Sequence, residues 1–351
     1  MNPFSYIAPA STAEAFAALD HHEGNSMALG TAKFIAGGTN LLDLMKENVM
    51  RPVRLIDING LPYDQIQETA RGGLLLGALA RNADTAYHPQ VRSHYPLLTA
   101  AILAGASPQL RNMATNGGNL LQRTRCYYFY DSMVACNKRD PGTGCSAMGG
   151  LSRQHAILGA SEHCIATHPS DMCVALAALE AIVHVQSPSG SRQIPFADFH
   201  RLPGDRPDMD TRLAADELIT HVELPEARAF AGHSVYLKIR ERASYAFALV
   251  SVAAALDLAS DGTIRQARLA LGGVAHKPWR DIVVEQGLAG AMPSEPVFAE
   301  AADALLSNAR GQGANDFKIP LAHRAIVRAL GQAVQGTLTN TGEMPSDKEP
   351  V

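Results

Sequence analysis

Four of the five cysteines, Cys126, Cys136, Cys145 and Cys164, fall within 39 residues of the 351-residue chain. Thiolates are soft ligands, so this clustering points to metal or redox chemistry. A disulfide scaffold belongs instead to small secreted domains and staples them more evenly. The spacing Cys126-x9-Cys136-x8-Cys145-x18-Cys164 has neither the close cysteine pairs of zinc fingers nor the compact run of ferredoxins. It leaves three readings open: an iron–sulfur cluster, a structural zinc, or free thiols. The intervening stretch 137–144 offers the cations Lys138 and Arg139 and glycine-rich backbone, which suit an anionic cluster core. His155, His163 and His168 lie near the cysteines, where supporting or surface roles suit them better than ligation. Cys173 sits in a run of Ala, Val and Leu and reads as a buried apolar thiol.

A second chemistry comes from glycines. Lys33, Phe34, Ile35 and Ala36 read as a strand that enters Gly37 and Gly38, after which Thr39, Asn40 and Leu41 start a helix. Such a turn frees backbone amides to face an anion, lets a pyrophosphate approach without a Cβ in the way, and adds side-chain donors. An ordinary strand-to-helix turn has the same pattern. The segment is not G-x-G-x-x-G, so a nicotinamide site of the Rossmann type is not supported. About eighty residues on, Thr115, Asn116, Gly117, Gly118 and Asn119 repeat the chemistry. One long dinucleotide gripped by both loops accounts for the pair. His168-Pro169-Ser170-Asp171 then places a proline, a capping serine and a carboxylate at a helix start, which alone is a cap.

The elements that must position these residues read as mixed helix and strand. Strands are predicted at 33–36, 53–58 and 74–79, closing a small α/β unit, with helices through Asp20 and at 41–47. A helix at 95–104, the cysteine loop, a helix at 170–180, a hairpin of 181–186 with 192–196, and a strand at 218–224 follow. Beyond a linker at 226–232 come strands at 234–239, 246–258 and 264–272, then helices at 295–308 and 321–335. Apolar residues make up 46% and charged residues 18%, enough to bury two or three cores. The net charge of -4, with 30 basic and 34 acidic residues well mixed, gives no footprint for nucleic acid. No stretch approaches the roughly 18 apolar residues of a membrane span, so no membrane insertion is expected. The N-terminus carries no export signal pattern. The expectation is therefore the cytoplasm, or the periplasm if the chain is exported on a signal-bearing partner.

Taken in order, Ala36 to Asn40, Thr115 to Asn119, His168 to Asp171, the strand ending at Pro225 and Tyr236-Leu237-Lys238 resemble the FAD-binding medium subunit of the xanthine dehydrogenase, or molybdenum hydroxylase, family. The likeness runs over residues 3–335. It is strongest to the flavin subunit of bacterial periplasmic aldehyde oxidoreductases, which have an extra cysteine loop; 4-hydroxybenzoyl-CoA reductase has a comparable insertion. The resemblance implies an α+β chain. An FAD-binding domain of two subdomains would cover 1–228, with a [4Fe-4S] loop at about 122–166. A small sheet-plus-helices C-terminal domain would cover 229–335, and a flexible or partner-wrapping tail 336–351. It implies that Lys33, Phe34, Ile35, Ala36, Gly37, Gly38, Thr39, Asn40, Leu41 and Thr115 line the FAD pyrophosphate and ribityl chain, with Gly118 and Asn119 beside them. Asp171 would hydrogen-bond the cofactor, Ile219 would contact it, and Lys238 would lie near the isoalloxazine. It also implies that Cys126, Cys136, Cys145 and Cys164 hold one [4Fe-4S] cluster.

The function so implied is electron transfer inside a heterotrimer. Substrate is oxidised on a molybdenum-cofactor-binding large subunit, electrons cross [2Fe-2S] clusters on a small subunit, and FAD on this chain hands them to an external acceptor. No general base or nucleophile constellation stands out, which suits a subunit with no catalytic residue of its own. Two rivals are a stand-alone flavin oxidase acting on an alcohol and a non-enzymatic iron–sulfur scaffold. The roughly 100 residues after Gly232 are few for the substrate domain of the first.

Overall fold

The computed structural model describes residues 1–19 and 31–337. The expected end of the first helix at Asp20 and the tail beyond Thr337 lie outside the described residues.

Among the described residues, three sheets carry the chain. The first holds β1 (Ser5–Ile7), β2 (Ala32–Ile35) and β3 (Arg54–Asp57), all parallel in the order β1-β3-β2. The second holds β4 (Ile66–Glu68), β5 (Leu74–Gly77), β6 (Ile182–Ser187), β7 (Gly190–Pro195) and β8 (Leu218–Leu224), antiparallel in the order β4-β5-β8-β6-β7. The third holds β9 (Ser234–Ile239), β10 (Val250–Leu258), β11 (Ile264–Gly272) and β12 (Trp279–Arg280), antiparallel in the order β12-β11-β10-β9. The α+β expectation holds. The strand expected at 74–79 is not the last of the N-terminal unit, however: it pairs with β8, so the second sheet opens with β4 and β5.

The third sheet is covered on both faces, which explains why β10 reads as a nearly unbroken apolar run rather than an alternating one. Ala253, Ala255 and Ala270 turn their small side chains to the core that includes the Pro96–Ala104 and Asp171–Ala178 helices. Val252, Ala254 and Leu256 turn the other way, onto the Glu295–Leu306 and Lys318–Gln335 helices. Alanines on the inner face let those helices approach the sheet closely. The Asp171–Ala178 helix is buried on every side, as a helix apolar all round must be.

Between the Asn116–Leu120 helix and the Asp171–Ala178 helix, the cysteine segment has one short helix, Tyr127–Tyr130, and isolated bridges such as Cys136 to Cys145 and Ser161 to Cys164. Strand β10 begins at Val250, later than the expected 246, and Tyr245, with a left-handed φ of 51°, lies in the bend that precedes it.

Candidate functional site

The two glycine loops touch. Gly37 presses on the backbone of Met113 so closely that an added Cβ would stand 1.9 Å from the Met113 carbonyl oxygen, and Gly38 adopts a φ of +70°. Arg81 clamps the junction, donating from Nη1 to Met113 O (2.7 Å) and from Nη2 to Asn59 Oδ1 (3.0 Å), while Asn59 Nδ2 donates to Ala36 O (3.0 Å). Asn40 Oδ1 accepts the Arg123 amide (2.9 Å), while its buried Nδ2 makes no direct hydrogen bond and lies near the Tyr130 hydroxyl. An unpaired buried amide donor is costly unless a ligand oxygen satisfies it, so this cradle fits a phosphate-bearing cofactor.

The second loop is anchored from below. Thr115 Oγ1 caps the Gly118 amide (3.2 Å), and Asn116, with no exposed surface, donates from Nδ2 to Gly77 O (3.1 Å) and Thr85 Oγ1 (2.9 Å). Asn119 Nδ2 donates to Asn82 Oδ1 (2.7 Å), and Asn119 Oδ1 accepts the Ser170 hydroxyl (2.6 Å). Ser170 Oγ in turn accepts the Cys173 amide (3.0 Å) and so caps the Asp171–Ala178 helix. One chain of hydrogen bonds thus joins the second loop to the third motif. Ile219 lies under that loop, 3.7 Å from where a Cβ on Gly117 would stand. The supports Asn59, Arg81, Asn82, Thr85 and Arg123 escaped sequence reasoning, because nothing local marks an Asn or Arg whose partners are remote.

Asp171 and Lys238 form a buried ion pair (2.7 Å) with side chains 8% and 5% exposed. Tyr236 donates its hydroxyl to the other carboxylate oxygen (2.7 Å), and Lys238 Nζ also donates to Ala104 O (3.1 Å). Burial, then the Asp171 charge, raises the Tyr236 phenol well above its usual range. Strand β9 therefore grips the first turn of the Asp171–Ala178 helix. Asp171 also faces a cleft, with Thr124 to Tyr127, Gln154, His155 and Phe247 among its other walls. Lys33 lies in β2, its ammonium lowered by burial and by Arg123. Of the expected cofactor and metal residues, Asp171 and Cys126 line the cleft. The first glycine loop reaches it through Asn40, Arg123 and the neighbouring Thr124.

All four clustered cysteines are free thiols, with Cys136 and Cys164 buried. Backbone amides turn toward the sulfurs: those of Tyr128 and Phe129 toward Cys126, those of Ala147, Met148 and Ile165 toward Cys145, and that of Ala166 toward Cys164. Burial pushes the Cys126 thiol up to about 11. Cys145 and Cys164 share a proton, which lowers Cys145 to about 6 and raises Cys164. Among the described residues no three of these four sulfurs come within 4.8 Å of one another. One zinc ion, with bonds of about 2.3 Å, needs them closer. A cluster places iron and sulfide between its thiolates and is stabilised by amides directed at sulfur, so the donor set fits a cluster better than a single ion.

The cations expected to serve the cluster are committed elsewhere. Arg139 donates from Nη1 to the carbonyls of Tyr128 (2.9 Å), Phe129 (3.0 Å) and Asp131 (2.8 Å), and from Nη2 to Val134 O. Lys138 is tied to Pro207 O (2.7 Å) and to Asp210, which Arg123 also binds (2.7 Å). Burial opposes the Asp210 charge, but Arg123 and Lys138 override it and hold the carboxyl well below the usual range. Nor is the 137–144 backbone free, since Asn137 Oδ1 accepts the amides of Gly142 (3.1 Å) and Gly144 (2.8 Å). These residues hold the loop, and amides close behind the cysteines solvate the sulfur. His155 is nearer than expected, with Nε2 3.1 Å from Cys126 Sγ; burial lowers it to about 4, so the ring is neutral. Cys173 is fully buried and its thiol is pushed up to about 12, in keeping with a packing role.

Comparison with known proteins meets this geometry. Residues 2–227 match the family of the FAD binding domain in molybdopterin dehydrogenase, and residues 235–333 match the CO dehydrogenase flavoprotein C-terminal domain. The chain is 52% identical to the aldehyde oxidoreductase FAD-binding subunit PaoB of Escherichia coli strain K12, over 86% of this chain and 91% of that one. It is 30% identical to the glyceraldehyde dehydrogenase medium chain of Sulfolobus acidocaldarius, over 87% of each. Among solved structures, a chain of the carbon monoxide dehydrogenase from Hydrogenophaga pseudoflava superposes with a TM-score of 0.72 at 27% identity, covering 95% of this chain and 97% of that one.

Proposed function

This chain belongs to the family of FAD-binding domains of the molybdopterin dehydrogenases, and on that premise we propose that it is the flavin-binding electron-transfer subunit of an aldehyde oxidoreductase. Its partners in this reading are a large subunit carrying the molybdenum cofactor and a small [2Fe-2S] subunit. Support for an aldehyde substrate comes from the names of two relatives, an aldehyde oxidoreductase subunit and a glyceraldehyde dehydrogenase chain. Relatives named as FAD subunits and medium chains speak against a stand-alone oxidase.

The chain's own work is to hold and orient. The loop from Ala36 to Leu41, with Lys33, Phe34 and Ile35 leading into it, would cradle the phosphates of FAD, and the unpartnered Asn40 Nδ2 would donate to one of their oxygens. Thr115, Gly118 and Asn119 would flank the chain between phosphate and ring, with Ile219 beneath them. The Asp171–Lys238 pair would fix the polar edge of the ring site at the cleft. Cys126, Cys136, Cys145 and Cys164 would hold a [4Fe-4S] cluster beside the cleft, solvated by backbone amides. FAD supplies the exchange between one- and two-electron steps, and a cluster supplies single-electron relay.

The observation that carries the reading is the convergence of both glycine loops and the Ser170 cap beside a cleft that Cys126 also lines. The test is the assembled complex, in which FAD and about four irons per copy of this chain are expected. A colourless chain that purifies alone overturns the reading. Gly37→Val should remove FAD, because its side chain must displace the Met113 backbone, at about 1–3 kcal/mol or more. Full flavin content in that variant would show that the phosphates lie elsewhere.

A further inference from the structure

His155 takes no part in the functional reading above, yet the molecule holds it with unusual care. Its side chain is 2% exposed, and Nε2 lies 3.1 Å from Cys126 Sγ while Nδ1 has no partner. A sulfur bound to iron can accept but not donate, so in the loaded protein the ring proton belongs on Nε2, directed at Cys126. The C-terminal part of the chain fixes the residue in place. Lys318, with no exposed surface, donates to His155 O (2.9 Å) and to Gly273 O (2.5 Å), and Asn315, also fully buried, donates to His155 O (3.0 Å) and Ala156 O (3.2 Å). Ser152 is pinned alongside, donating to Gln312 O (2.8 Å) and accepting the Ala314 amide (3.2 Å). His155 also lines the cleft that Asp171 faces.

We propose that His155 is the positioning residue through which the Lys318–Gln335 helix and the turn before it set the reduction potential of the cluster, by donating a hydrogen bond from Nε2 to Cys126 Sγ. The inference rests on the cluster reading. A donor at a ligating sulfur stabilises the reduced, more negative core and raises its potential. Among the described residues no other side chain donates to that sulfur: its other donors are the amides of Tyr128 and Phe129, which any residue but proline would supply. The contact is thus the point at which the third sheet and its helices act on the sulfur nearest the cleft.

The test uses the assembled complex with His155→Leu, which removes the donor, and His155→Gln, which keeps an amide donor on a shorter reach. Iron and acid-labile sulfide are measured first, then the cluster potential by an EPR-monitored redox titration, with the flavin potential as internal reference. The expected result is full iron in both variants, a cluster potential shifted negative in His155→Leu, a smaller shift in His155→Gln, and an unmoved flavin potential. A loaded His155→Leu protein with the parent's cluster potential overturns the proposal. If the leucine variant loses iron, the glutamine variant decides; loss of iron from both makes His155 a ligand or a prop and also overturns it. Wild-type complex without iron is a separate failure, that of the cluster reading, and appears before any potential is measured.

Discussion

The glycine loops and the cysteine loop both reach one cleft, the first through Asn40, Arg123 and Thr124 and the second through Cys126, but different forces hold them. The glycine loops grow out of regular elements: Gly37 lies two residues past the end of β2, and the Asn116–Leu120 helix packs on Gly77 and Ala78 at the end of β5. Their shape is a matter of backbone, and small residues allow the contact. The cysteine loop has almost no repeating backbone structure and is held by polar side chains, Asn315 and Lys318 from outside it together with its own Arg123, Arg139 and Lys138. A cradle made from backbone is damaged most directly by crowding it. A loop stapled by side chains can be undone one residue at a time.

That contrast is broken most directly at Arg139. Replacing it by alanine removes donors from the carbonyls of Tyr128, Phe129, Asp131 and Val134. At about 1–3 kcal/mol for each buried acceptor left unpaired, the loss exceeds what a short irregular loop can absorb. On the proposed cluster reading, Arg139→Ala should therefore lose most of its iron while keeping its FAD. Proportional loss of flavin and iron would show that the two regions are one cooperative unit. Asp171→Asn tests the other wall. It leaves Lys238 buried without its counter-charge, and breaking such a pair costs about 3–5 kcal/mol. The expected outcome is weaker flavin retention with iron unchanged, read from absorbance and iron content of the same sample. The ordering of effects, iron lost in one variant and flavin in the other, is what the comparison demands.

The same division explains what could be read from the chain. Both glycine loops, the Ser170 cap and the cysteine quartet were legible because each is written in neighbouring residues. Strand β5 is legible as a strand, but its place outside the N-terminal unit is not, because its partner β8 lies more than a hundred residues downstream and no local pattern names it. The 137–144 stretch was credited with solvating the cluster, since sequence shows Lys138 and Arg139 but not the remote Asp210 and nearby carbonyls that occupy them. The Asp171–Lys238 pair spans 67 positions and the Lys318 bond to His155 O spans 163. Both depend on how the third sheet docks, which is a tertiary fact.

Lys318 gives the smallest effect and the finest test of whether the loop's staples need charge. Burial alone lowers its ammonium to about 7, against an unfolded value of about 10.4. Below pH 7 the lysine is protonated in both states, so the folded protein bears the full cost of a buried charge. Between about pH 7 and 10 the unfolded chain binds the proton and the folded one does not. This group therefore makes stability rise with pH across that window, by at most about 1.4 kcal/mol per pH unit. A neutral amine still donates to the carbonyls of His155 and Gly273, so the staple itself survives deprotonation. Lys318→Met removes both charge and donor. The difference in unfolding free energy between wild type and variant should be flat below pH 7 and should grow in favour of the wild type from pH 7 to 9. A difference independent of pH over that range would mean that Lys318 stays charged in the folded protein, and that the cysteine loop is held by an ammonium rather than by a neutral hydrogen-bond donor.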